Sequence, residues 1–118
     1  MSTNSILLEK SLHFAARIIK LHNFLTNKKH EYIISKQIVR SATSIGANAN
    51  EAVFGQSTAD FISKLHIALK ETAETEYWIK LLILSEYIKE NEGESLLKDC
   101  IELKKILVAS LNTTKNNK

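Results

Sequence analysis

The sequence predicts an all-α protein, an antiparallel up-down-up-down four-helix bundle, and three observations carry that reading. Proline is absent and glycine occurs only at Gly46, Gly55 and Gly93, so little interrupts helical backbone. Apolar residues recur at three- and four-residue steps in four separate stretches, whereas the alternation of a half-buried strand is nowhere sustained. The polar segments between those stretches are short, which makes each helix return antiparallel to the one before. At 118 residues the chain fits a single domain with one core.

The first helix is expected over about residues 5–26, with Leu7, Phe14, Ile18, Leu21 and Leu25 as its core stripe. Asn27, Lys28, Lys29 and His30 make a polar connection to a second helix over about 31–54, which turns Ile34, Ile38, Ile45 and Ala52 inward and stops at Gly55. Ser57 followed by Asp60 offers an N-cap with an acid three residues on, opening a long third helix over about 57–89. Turn character around Gly93 precedes a fourth helix over about 92–111, whose apolar positions are Leu96, Leu97, Cys100, Leu103, Leu107 and Leu111. The polar tail, residues 112–118, has nothing to bury and is expected to fray.

The second helix holds the most informative stretch. Between Arg40 and Ala52, seven of thirteen residues are Ala, Gly or Ser, small enough to let another backbone come close. Ala42, Ile45, Ala49 and Ala52 form an apolar stripe, and beside it Ser41, Ser44, Asn48 and Glu51 form a polar one. Buried polar groups must be paired, so these residues, with Arg40, Glu71 and Glu74, are read as a packing seam with polar pairing built in; a binding site in the same place is the alternative.

The third helix carries a segment that a monomer does not cover. From Tyr77 to Ile88 its polar residues Lys80, Ser85 and Glu86 are spread around the helical wheel, leaving no clean solvent face. Tyr77, Trp78, Leu81, Leu84 and Ile88 are therefore expected to meet a second copy of the chain.

Composition and motifs exclude most chemistry. The chain is 44% hydrophobic and 25% charged, and runs such as Leu81 to Leu84 fall far short of the ~20 residues of a membrane span. No basic segment precedes the short apolar run Ile6-Leu7-Leu8, so no secretory signal and no membrane partner are expected, and the cytoplasm is the expected location. A single cysteine, Cys100, fits a reducing compartment. None of the four histidines follows a glutamate by three residues, so the di-iron pattern of carboxylate bundles is missing, and no metal or cofactor is expected. Ser44 lacks a strained nucleophile turn and a glycine-rich oxyanion loop, and no phosphate-cradling glycine loop occurs. The chain is expected not to be an enzyme and to have no catalytic residues.

Charge is unevenly divided. Residues 1–50 carry a net +5 and residues 51–118 a net −2. Arg17, Lys20, Lys28, Lys29, Lys36 and Arg40 lie on the first two helices and their turn, where phosphates of RNA or DNA could be contacted without base readout. Aromatics interleaved for base stacking are not evident, since Phe14 and Phe24 read as core or semi-core residues.

Leu8-Glu9-Lys10-Ser11 with Phe14-Ala15, the run Ser35 to Asn48, Asp60-Phe61-Ile62-Ser63-Lys64-Leu65, and the run Ala68 to Trp78 together resemble the 23S rRNA-intervening-sequence proteins. The match spans nearly the whole chain and departs at Ala49, Asn50 and Ala52-Val53. The resemblance implies a bacterial four-helix bundle assembled as a ring-like homopentamer. Its relatives include a basic accessory protein of diversity-generating retroelements that handles nucleic acid and contacts a reverse transcriptase. On this basis the expected function is a non-enzymatic pentameric adaptor that binds structured RNA or DNA electrostatically. The alternative is a structural bundle that docks a protein partner such as a reverse transcriptase.

Overall fold

A computed structural model describes residues 2–116 as four helices in a bundle 48 × 22 × 22 Å across. They are α1 (Thr3–Asn27), α2 (Ile34–Val53), α3 (Thr58–Leu84) and α4 (Glu90–Asn116), with no strand among the described residues. Each helix packs on its sequence neighbours, and α1 closes the square against α4 along the sparsest of the four contacts. The α1–α2 and α3–α4 connections lie at one end of the bundle. The α2–α3 connection lies at the other, with the start of α1 and the end of α4.

The core is built from the stripes the periodicity marks. Leu7, Phe14, Ile18 and Leu25 of α1, Ile38 and Ile45 of α2, and Leu96, Leu97, Cys100, Leu103, Leu107 and Leu111 of α4 are buried. Leu21 and Ile34 are only partly so and pack on the core from its edge. Each fully buried aliphatic side chain contributes about 1.5–3 kcal/mol of transfer free energy. Ala42, Ala49 and Ala52 are also sealed, and Gly46 brings α1 close, since a Cβ there would sit 3.2 Å from Ser11 Oγ.

Capping fixes the helix starts. Ser2 Oγ accepts from Ser5 N–H to open α1, and Ser57 Oγ accepts from Asp60 N–H to open α3. Helix α2 has no cap of that kind at Ile33. Instead Glu31 folds back beneath it: Oε2 accepts from the N–H groups of Ile33 and Ile34, both at 2.9 Å, and Oε1 from Ser35 at 2.7 Å. Burial opposes the charged form of Glu31, but these three donors outweigh it and hold its carboxyl below the usual range.

The main departure from expectation is the end of α3. The helix stops at Leu84, not near Lys89, because Glu86 takes a left-handed conformation (φ 65°). Glu86 N–H then donates to Ile83 O, and Tyr87 N–H to Leu82 O, each at 3.0 Å. That is the Schellman pattern with glutamate in the place that usually holds glycine. The reversal folds Ile88 into its own chain's core at 6% exposure and lets α4 begin at Glu90. Gly93 then passes against Ile83, whose side chain would collide with any Cβ added there. Helix α4 continues to Asn116, so residues 112–116 of the expected frayed tail are helical, and residues 117–118 lie outside the described residues. No described helix is long and apolar enough to cross a membrane.

Candidate nucleic-acid interface and its surroundings

Helix α1 runs down to a turn that presents Lys28 and Lys29, and α2 starts back with Lys36 in its first turn. Lys20 lies two turns above on α1. All four are exposed, and none makes an ion pair among the described residues. Lys29 Nζ rests 5.8 Å from the centroid of the Phe24 ring. The amide groups at the start of α2 already serve Glu31, so an anion arriving here would meet lysine side chains and not a free helix N-terminus.

The two arginines of the expected basic set are committed elsewhere. Arg17 donates from Nη1 to Asp99 Oδ2 at 2.6 Å and from Nη2 to Ser95 Oγ at 3.0 Å, tying α1 to α4. Arg40 donates from Nη1 to Glu71 Oε2 at 3.2 Å and from Nη2 to Glu74 Oε2, tying α2 to α3. Both guanidiniums are therefore clamps between helices, and the basic surface reduces to Lys20, Lys28, Lys29 and Lys36. The Arg40 pairing is the one the seam reading expects, whereas nothing in the sequence joins Arg17 to Asp99, 82 residues away.

The polar stripe of α2 divides in the same way. Ser41 is fully buried and shares a hydrogen bond with Thr75 Oγ1 at 2.8 Å, a cross-helix pair of the kind the seam predicts. Ser44 Oγ donates to Arg40 O, and Asn48 Nδ2 to Ser44 O, both at 2.8 Å and both within α2. Glu51 is exposed, with Lys64 Nζ at 4.0 Å. Of the residues expected to pair across the seam, Arg40, Ser41, Glu71 and Glu74 do so, Glu51 reaches across only to Lys64 at 4.0 Å, and Ser44 and Asn48 bond within α2. Glu74 also accepts from Trp78 Nε1–H at 3.0 Å, and that bond, with Arg40, keeps its carboxyl below the usual range against the effect of burial.

Near the same end of the bundle, large apolar side chains stay in contact with solvent. Ile33 is 78% exposed, Leu84 82%, and Tyr32 and Tyr77 59% each. Tyr77 stacks edge-on against half-buried Trp78 at 5.0 Å between ring centroids, and Leu81 is half-buried. The expectation that the Tyr77 to Ile88 segment is one helix needing cover on every side is corrected: Ile79, Leu82 and Ile88 are covered by the chain itself, and Tyr77 and Leu84 are what remains uncovered.

Between α1 and the α3–α4 turn lies an open groove of about 960 Å³. Leu21, Phe24, Tyr87 and Leu96 give it an apolar lining. Lys20 and Lys29 stand on its α1 side, and Glu86, Glu90 and Glu92 on the other together with Lys89. No periodicity or motif marks Phe24 and Tyr87 as lining one groove. Cys100, by contrast, is sealed, donates to Thr72 O at 3.4 Å, and has its thiol pushed up to about 12 by burial.

A family model for the 23S rRNA-intervening sequence protein matches residues 3–109. The chain belongs to that family. A solved structure of an S23 ribosomal protein family member from Bacteroides thetaiotaomicron, itself of unknown function, is similar at 50% identity, with a TM-score of 0.93 over 94% of this chain and 99% of that one. No protein of curated function matches. Membership of the 23S rRNA-intervening sequence family thus agrees with the four-helix architecture and leaves the function to be argued from the surface.

Proposed function

We propose that this 23S rRNA-intervening sequence family protein is a non-enzymatic cytoplasmic adaptor. It assembles as a homopentamer and binds structured RNA or DNA electrostatically through Lys20, Lys28, Lys29 and Lys36. The observation that carries the reading is the contrast in pairing: the arginines of the basic half are spent on Asp99, Glu71 and Glu74, while these four lysines are exposed without a carboxylate partner among the described residues. Repeating four such charges around a ring turns a modest patch into a strong field. Exposed Tyr77 and Leu84 supply the apolar surface for self-association.

The test is the salt dependence of binding. Changing all four lysines to glutamine should flatten the slope of log affinity against log salt by up to about 3–4 units per bound subunit, as fewer counterions are released. The matched control changes Lys70, Lys98, Lys105 and Lys115, which are likewise exposed and without an ion pair among the described residues. Lys104 is unsuitable there because it pairs with Glu76 at 2.7 Å. Absence of binding to duplex DNA or structured RNA at about 50 mM salt, where such contacts are strong, or equal effects of both sets, overturns the reading. The alternative is then a bundle that docks a protein such as a reverse transcriptase, which the exposed Tyr32, Ile33, Tyr77 and Leu84 favour.

A further inference from the structure

We infer that the groove between α1 and the α3–α4 turn takes unpaired nucleotides, with bases against Phe24 and Tyr87 and phosphates on Lys20 and Lys29. The inference rests on the nucleic-acid reading above and adds to it a preference for structures with unpaired bases over continuous duplex.

The groove's lining is the first argument. Phe24 and Tyr87 lie far apart in sequence, yet the fold brings both to one cleft at the lysine end of the bundle. Phe24 keeps 38% of its surface exposed, and Tyr87, which packs on the edge of the core, still keeps part of its surface open. A cleft of about 960 Å³ accommodates a nucleotide, and aromatic rings bind unpaired bases with little regard to sequence because every base has a π face.

Charge is the second. The α1 side is cationic, and the opposite side carries Glu86, Glu90 and Glu92 against the single cation Lys89. A uniformly anionic ligand is repelled by one side and a uniformly cationic one by the other. A nucleotide suits both: its phosphate is an anion, and the exocyclic amines of adenine, cytosine and guanine donate to carboxylates. Duplex DNA or RNA ties one N–H of each amine into its base pair and presents the other only at the floor of a groove walled by phosphates, so the carboxylate side meets phosphate first and repels it. Lys29, already placed over the Phe24 ring, sets a phosphate contact beside the stacking surface.

The test compares a hairpin whose loop is unpaired adenosines and cytidines with a blunt duplex carrying the same number of phosphates, each in RNA and in DNA form, by fluorescence anisotropy on the full chain. The parent should bind the hairpin more tightly in at least one of the two forms. Phe24→Leu and Tyr87→Leu should each weaken hairpin binding by roughly fivefold or more, the size expected for loss of one stacked base, and leave duplex binding and the salt slope unchanged. Phe24→Tyr and Tyr87→Phe keep a ring and should keep the preference; if they lose it as the leucine variants do, stacking is not its cause and the inference falls. Equal parent affinity for hairpin and duplex, or leucine variants that weaken both alike, overturns the groove and leaves the adaptor standing. Failure of the parent to bind any of them overturns both.

Discussion

Replacing Glu31 tests how α2 is started. Three backbone N–H groups at 2.7–2.9 Å converge on its carboxylate, and Ser35 Oγ returns a hydrogen bond to Glu31 O at 2.7 Å. Loss of a helix cap costs about 0.5–2 kcal/mol, and hydrogen bonds to a charged group fall at the upper end of the usual range. With Glu31 only 8% exposed, water cannot readily take over the orphaned amides. Glu31→Ala should therefore destabilise by about 2–3 kcal/mol. Glu31→Gln, which keeps one acceptor oxygen but no charge, should cost about 1 kcal/mol. For a domain of this size each kcal/mol moves the melting temperature by roughly 3–6 °C, read by circular dichroism at fixed protein concentration. The pH dependence has a defined sign. Because the folded carboxyl titrates below its ordinary value, its contribution is complete above that ordinary value, near 4.5, and disappears as pH falls through the lower folded value. Parent and Glu31→Gln should thus differ at pH 7 and converge in strong acid. Equal stability at pH 7, or a gap that persists undiminished in strong acid, would refute the cap.

Two further outcomes follow from packing and exposure. Ala49→Leu should destabilise by about 1–3 kcal/mol through overpacking, since Ala49 is fully buried, whereas Ala47→Leu on the exposed face of the same helix should leave urea unfolding near the parent's. Light scattering of the Tyr77→Ser, Leu84→Glu double variant should show a smaller mass than the parent's with unchanged helicity, and an unchanged assembly would remove Tyr77 and Leu84 from the interface.

The helices were legible because the signals that define them are local. Periodicity marked nearly every core residue of α1, α2 and α4, and the small-residue run of α2 marked both the close approach at Gly46 and the buried Ser41. The end of α3 was illegible for an equally local reason. Ser85 and Glu86 carry no glycine or proline, and Tyr87 and Ile88 prolong the apolar rhythm, so nothing in the sequence flags a left-handed residue; the fit of Gly93 against Ile83 accompanies it. The candidate interface was half legible. Clustering of basic residues and the pairing of Arg40 with Glu71 and Glu74 could be read directly, but the commitment of Arg17 to Asp99, and the placing of Phe24 and Tyr87 on one groove, are products of tertiary structure.

The weak α1–α4 contact also orders how the molecule comes apart. Every other helix pair joins neighbours in sequence, so each forms over a short loop at little entropic cost. Only α1 and α4 must find each other across the whole chain, and the Arg17–Asp99 and Lys10–Glu102 bridges span that join from partly exposed positions. Native-state opening is therefore expected to begin as an unzipping of this seam, with amides of the α2–α3 hairpin exchanging last in a hydrogen-exchange measurement. A ligand lodged between α1 and the start of α4 acts as a clasp on the one long-range join, and so stabilises the whole bundle and not just its own surroundings.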